Sequence, residues 1–266
     1  MNVVLNFFKD IGTGFKKGHQ SLKIVLKNKK LILPVILIAL TVNIFIIINS
    51  MAKPTPHVQI LLQILSTILI SFFILNAMYF TKKLIIDNYK IRIIESLKTS
   101  IKIAKKSLFW IVTLIFTVIS VLYCLKSIYP VKMLSLTKAL SFFSIGAITL
   151  YILTILLIGI FTALTFESQN TSSKIIFNKG LIFAKKIISE TIGLYLYMIL
   201  LVIIINFSCG FIGGFIRGFI SQIMPSIVLD GTLVKSIARI IPIIILTFWA
   251  STFYCFFVKR YKAISK

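Results

Sequence analysis

Six long runs of apolar residues, each almost free of charge, limit this chain more than any other feature it has. They are Leu31–Met51, Val58–Phe80, Ser107–Leu125, Ala139–Ala163, Ile187–Phe207 and Ile240–Val258. Each is 19 to 25 residues long. About 20 residues of helix cross a hydrocarbon core of about 30 Å. The runs therefore predict an all-α membrane protein with six transmembrane helices.

The composition agrees. Hydrophobic residues make up 58% of the chain, against roughly 45–50% in a soluble domain. The mean hydropathy is +1.02. Charged residues make up 14%, well below the usual value of about 25%. So much apolar surface also excludes disorder. The net charge is +24, from 30 basic and 6 acidic residues. Such an excess suits nucleic acid or an anionic membrane, and the apolar runs decide for the membrane. No nucleic-acid partner is expected. Only Arg92, Arg217, Arg239 and Arg260 among the bases are arginines. Lysine, isoleucine and asparagine abound, as in AT-rich genomes. The placement of the lysines is thus more informative than their number.

The first run does not read as a cleaved signal, although Ser50-Met51-Ala52 faintly resembles a cleavage site. Thirty residues precede it and it is 21 long, whereas the apolar part of a signal has about 7–15. Orientation follows from the loops, because cytoplasmic loops are rich in lysine and arginine. Segments 1–30, 81–106, 164–186 and 259–266 hold 23 basic residues in 87 positions. The alternating segments 52–57, 126–138 and 208–239 hold seven in 51. Both termini are therefore expected in the cytoplasm, and the protein in a bacterial cytoplasmic (inner) membrane as a multi-pass chain.

The basic segments carry helical periodicity. In 83–106, Ile86, Tyr89, Ile93, Leu97, Ile101 and Ala104 recur every three or four positions, with Lys90, Lys98, Lys102 and Lys105 between them. The N-terminal segment has Val4, Phe8, Ile11 and Phe15, then Leu22 and Val25. A third copy spans 172–186, with Ser172 or Ser173 as N-cap and Ile176, Leu181 and Phe183 on its stripe. Basic amphipathic helices of this kind lie in the membrane interface. They either anchor the bundle or recognise anionic lipids at the cytoplasmic face, and Lys90, Lys98, Lys102 and Lys105 are the candidate lipid contacts. Each basic helix precedes two runs, so the domain divides into hairpin units 1–80, 81–163 and 164–266. These would be parallel repeats.

Segment 208–239 stands apart. Gly210, Gly214 and Gly218 fall four apart beside Arg217, and Pro225 and Asp230-Gly231 follow. A face of glycine permits close helix packing. An outer interfacial or re-entrant helix of about 12–16 residues is expected, too short to span. The glycines offer a packing face, within this chain or between copies, and the oligomeric state is left open. Arg217 offers an anion contact.

Intramembrane ionisable groups are functional candidates by default, and here Glu190 is nearly alone. Lys186 lies four residues earlier, so the two could pair on one helix face. Asn43, Gln63, Asn76 and Asn206 lie in or at the ends of the runs. Such groups bond between helices, or Asn43, Asn76 and Asn206 line a polar cavity. The six acids, Asp10, Asp87, Glu95, Glu167, Glu190 and Asp230, are scattered, and neither His19 nor His57 lies in a motif. Paired carboxylates, nucleophile–base pairs and phosphate loops are absent from the sequence. Cys124, Cys209 and Cys255 share no metal-binding spacing; Cys124 and Cys209 are either apolar thiols or an outer disulfide. No enzyme, catalytic residue, cofactor or metal is expected.

Three stretches resemble a bacterial and archaeal family of six-helix membrane proteins of unknown function. One is Gly14-Phe15-Lys16-Lys17 through Ser21-Leu22-Lys23 and Leu26-Lys27-Asn28-Lys29-Lys30, entering Leu31-Ile32-Leu33-Pro34. Another is Phe72-Phe73-Ile74-Leu75-Asn76-Ala77, followed by the basic segment and Trp110. The last is Phe166-Glu167 with Ser172 through Lys186. A broader likeness is to the membrane domain fused to some glycerophosphodiester phosphodiesterases, whose catalytic part has no counterpart in these residues. The resemblance implies the topology and no activity. Two roles are expected: passing or holding a small or lipid-like solute, or a membrane scaffold acting through the basic helices.

Overall fold

The computed structural model describes residues 2–52, 55–105, 136–167, 171–223 and 231–265. The expected run Ser107–Leu125 lies outside them. The described residues are helical throughout apart from short connections, and no strand occurs among them. The helices are α1 (Asn2–Lys27), a 3₁₀ turn (Lys29–Ile32), α2 (Leu33–Ala52), α3 (Pro56–Ile85), α4 (from residue 93 and described to 105), α5 (Leu136–Phe166), α6 (Ser173–Ile223) and α7 (Gly231–Ile264). Among the described residues, two stretches are long and apolar enough to cross a membrane, Ile64–Ile85 and Ser173–Ile205.

Local chemistry explains most of the boundaries. Pro34 and Pro56 sit in first turns, where a missing N–H costs nothing. The 3₁₀ turn separates α1 from α2 just before Pro34. α6 opens after Ser172, whose carbonyl accepts from the Ile175 and Ile176 amides. It is described as far as Ile223.

Two expected elements differ. Segment 83–106 is not one helix. α3 runs through to Ile85, and Asn88 adopts a left-handed conformation with φ of 51°, which asparagine tolerates. The Tyr89 amide turns back to the Lys83 carbonyl, and α4 starts at residue 93. The polar Asp87-Asn88 pair breaks a periodicity that the isoleucines alone would have continued.

The second difference is α6. Segments 172–186, 187–207 and 208–239 were expected as separate pieces, yet the first two and the start of the third form one helix of 51 residues, Ser173–Ile223. No proline interrupts it, and isolated glycines cost only about 1 kcal/mol each. At 1.5 Å per residue it is about 77 Å long, more than twice the hydrocarbon thickness.

The contacts fall into two units. Met1–Ile32 and Ser189–Phe253 form one, and Leu33–Ile188 and Tyr254–Lys266 form the other. α6 and α7 contribute to both. In the second unit α2 and α3 make an antiparallel hairpin, and α3 also packs on α5. The side chains of Leu75, Met78, Phe80, Ile155, Phe161, Ile187, Phe256, Phe257 and Val258 are fully buried. Gly159 and Gly180 bring α5 and α6 close together. A Cβ on Gly159 would lie 2.7 Å from the Gly180 carbonyl oxygen.

Burial changes along individual helices. In α3, Val58, Leu61, Leu65 and Ile68 are exposed, whereas Leu75 through Met78 are buried. In α6, Ile176, Phe183, Ile187 and Leu194 are buried, whereas Leu196, Ile199, Leu200, Ile203, Ile204 and Phe207 are exposed. α2 exposes Leu33, Ile36, Leu40, Ile44 and Ile47. Exposed apolar side chains of this density are a liability in water and mark a surface that meets lipid or protein.

Candidate functional site, an apolar cavity beside a basic helix end

The first unit is built on a seam between α1 and α6. Asp10 accepts from the Ser189 hydroxyl at 2.9 Å, and Lys17 reaches Glu190 at 3.4 Å. His19 Nδ1 and the Tyr197 hydroxyl share a hydrogen bond of 2.9 Å, and Phe15 meets the Tyr197 ring edge-on at 4.9 Å. Residue numbers rise together on both sides, so α1 follows α6 in the same direction. Glycine makes the approach close enough. A Cβ on Gly14 would strike the Glu190 carbonyl oxygen, and one on Gly193 would strike the Ile11 carbonyl oxygen. Gly18 faces Leu194 and Tyr197.

α1 runs beside α6 for about 24 Å, from Asp10 to Leu26. Its stripe is split between two surroundings: Val25 is buried, while Val4, Leu5 and Phe8 stay exposed.

Above the seam, Leu22 and Leu26 of α1 face Met198, Leu201, Val202 and Ile205 of α6. Ile245, Phe248 and Trp249 of α7 close the third side. They line a half-open cavity of about 430 Å³, and its described lining is entirely apolar. That volume is within the range of about 300–1,000 Å³ typical of small-molecule sites. Tyr195 packs edge-on against Trp249 and Phe253, at 6.2 and 4.9 Å. The Trp249 indole Nε1 is buried without a hydrogen-bond partner among the described residues. Lys23, Lys27, Lys29 and Lys30 follow at the end of α1, all exposed. The Ser251 hydroxyl donates to the Leu31 carbonyl and ties the turn after α1 to α7 at 3.3 Å.

The second unit holds two polar clusters. Asn76 is fully buried, and its Oδ1 accepts from Ser96 at 2.6 Å and Ser100 at 3.5 Å. The buried face of α4 is thus serine, while Ile94 and Ile101 are exposed. Around Glu167, the Tyr261 hydroxyl donates at 2.9 Å and Lys179 at 2.7 Å. Lys82 donates to the Thr165 carbonyl at 2.9 Å and lies 4.8 Å from the Phe166 ring centre. Phe166 and Phe183 both pack on Tyr261 at 4.9 Å. Burial and the Glu167 carboxylate raise the Tyr261 pKa well above the usual tyrosine value.

The candidate residues separate as follows. Glu190 is 8% exposed and is met by Lys17 of α1, while Lys186 is exposed on α6. Asn43 is exposed and donates back to the Ala39 carbonyl at 2.8 Å, and Asn76 is engaged with serines, so neither lines the cavity. Lys90, Lys98, Lys102 and Lys105 are exposed, with Lys90 ahead of α4 and the others on it. Gly210, Gly214, Gly218 and Arg217 continue the α6 backbone, and their surroundings, like the side chain of Asn206, lie outside the described residues. Cys255 is fully buried. No group of metal-ligating residues occurs among the described residues. The cavity itself was not anticipated, because its walls are ordinary apolar and aromatic side chains from three distant segments. The seam had a signal, since Gly14 and Gly18 are four residues apart. Compared with protein-family models, curated proteins and solved structures, the chain matches none.

Proposed function

We propose that this chain is a six-crossing membrane protein that holds a lipid-like molecule, without enzymatic chemistry, in the cavity between α1, α6 and α7. The observation that carries this reading is the absence of any polar side chain among the described residues that line a cavity of that size. A polar solute would lose its hydration there with nothing to replace it, at a cost of several kcal/mol per group. A hydrocarbon chain would lose nothing and gain about 0.8 kcal/mol for each methylene taken from water.

The exposure pattern supports a membrane around these helices, since Leu196, Ile199, Leu200, Ile203 and Ile204 of α6 are exposed. Both termini are on the cytoplasmic side, as the lysine bias indicates and as the resemblance to the six-helix family implies.

Two experiments test the reading. In a Cys-free background, single cysteines at Lys132 and Ser226 are expected to react with an impermeant reagent from outside, and those at Lys102 and Ser265 are not. Outside labelling at Lys102 or Ser265 would overturn the orientation. For the cavity, Trp110→Phe leaves Trp249 as the single tryptophan. Titrating this protein in detergent with brominated phosphatidylcholine is expected to quench Trp249 saturably, and Val202→Phe is expected to abolish the saturable part. Quenching that rises linearly and ignores Val202→Phe would remove lipid holding as the function.

A further inference from the structure

The end of α1 gives the cavity a chemical preference. Four exposed lysines, Lys23, Lys27, Lys29 and Lys30, lie within about one turn of Leu22, Leu26 and the 3₁₀ turn that Ser251 ties to α7. No acidic side chain lies between Asp10 and Asp87 to offset them. We infer that the occupant is an anionic phospholipid, with one acyl chain in the cavity and its phosphate held by these lysines. This deepens the proposed holding of a lipid-like molecule and rests on it.

Three observations converge on this occupant. The cavity's volume of about 430 Å³ is at the lower end of the range of about 300–1,000 Å³ for small-molecule sites, room for an acyl chain rather than a whole lipid. Trp249 contributes a buried N–H that has no acceptor among the described residues, and a glycerol-ester carbonyl at the top of an acyl chain is such an acceptor. The lysine end of α1 supplies cations beside the cavity. A helix C-terminus accounts for Lys27 through the helix dipole, but the dipole acts only within the last turn and does not account for four cations flanking a dry cavity. A lipid with its chain in protein and its headgroup on lysines uses all three features.

The test uses the full chain purified in a neutral detergent and native mass spectrometry with two lipids of identical chains, phosphatidylglycerol and phosphatidylcholine. Wild type is expected to retain phosphatidylglycerol preferentially. Each of Lys23→Gln and Lys27→Gln is expected to weaken that retention by about fivefold, the attraction of one surface cation for an anionic leaflet, with phosphatidylcholine unchanged. Arg92→Gln, an exposed cation between α3 and α4, is the control and is expected to leave retention as in wild type. Equal retention of both lipids would overturn the headgroup assignment, as would a loss in the Arg92 control as large as that in the α1 variants. Either outcome leaves the cavity as a chain site. Retention of both lipids unaffected by Val202→Phe would instead remove the lipid-holding reading itself. The lysines are exposed, so their variants fold, and circular dichroism of each preparation verifies it.

Discussion

Placing one methyl group on Gly14 or on Gly193 is expected to unseat α1 from α6, while the same change at Gly12 leaves the fold intact. At Gly14 the new Cβ strikes the Glu190 carbonyl, and at Gly193 it strikes the Ile11 carbonyl. Both obstacles are backbone, so no side chain can swing aside. Overpacking of this kind costs about 1–3 kcal/mol and sometimes more. Alanine returns up to about 1 kcal/mol in helix propensity, so the steric term wins. Gly12 has open space where its Cβ would go, so Gly12→Ala keeps the propensity gain alone. The double variant Gly14→Ala, Gly193→Ala should cost less than the sum of the two, because both changes open the same seam. Thermal unfolding in detergent measures all four. A Gly14→Ala protein that melts with wild type would mean that α1 is not seated as described. Loss of the seam would also open the cavity, since Leu22 and Leu26 form one of its walls.

Glu167→Ala is expected to be the most damaging single change in the second unit. It leaves the Tyr261 hydroxyl, on a residue only 4% exposed, without its acceptor. It also releases Lys179, which is exposed enough to find water. A buried hydroxyl left unsatisfied costs about 1–3 kcal/mol, and the exposed ion pair adds at most about 1. Glu167→Gln keeps an acceptor and should cost less. Tyr261→Phe removes the donor and leaves the Lys179 pair in place, so its cost should be about 1 kcal/mol.

The same contact makes a pH prediction. The folded state holds the Tyr261 proton more tightly than the unfolded chain does, because burial and Glu167 raise its pKa. That contribution is fully present below the unfolded tyrosine value of about 10. Above it the unfolded chain releases the proton while the folded chain retains it. Stability then falls by about 1.4 kcal/mol per pH unit until the folded group ionises too. Unfolding measured at pH 9 and pH 11 should show a shallower alkaline loss in Tyr261→Phe than in wild type. An identical loss in both would mean that Tyr261 is not held protonated by this site.

Legibility in the sequence differed between kinds of feature. The helical character of 31–51, 58–80, 139–163, 187–207 and 240–258 was legible, because a long apolar run is a property of contiguous residues. The fusion of three expected pieces into α6 was not, because a change from basic to apolar composition does not break a helix unless a proline or a capping residue accompanies it. Segment 83–106 failed in the opposite sense. Its isoleucine spacing suggested continuity, and Asp87-Asn88 broke it.

Pairings were the least legible. Lys186 was the natural partner for Glu190 at four residues' distance, yet the cation that meets it is Lys17, 173 residues away. Asn76 was a candidate cavity residue, and two serines on α4 occupy its oxygen instead. The sequence by itself determined an all-helical, lysine-rich, strongly apolar chain, because helix formation and charge placement depend on near neighbours. Only the tertiary structure decided that α1 lies along α6, that two facing glycines make this approach close, and that nine apolar side chains from three helices leave a space between them. Those outcomes depend on which distant backbones come within contact, and no local pattern of leucine and isoleucine encodes that.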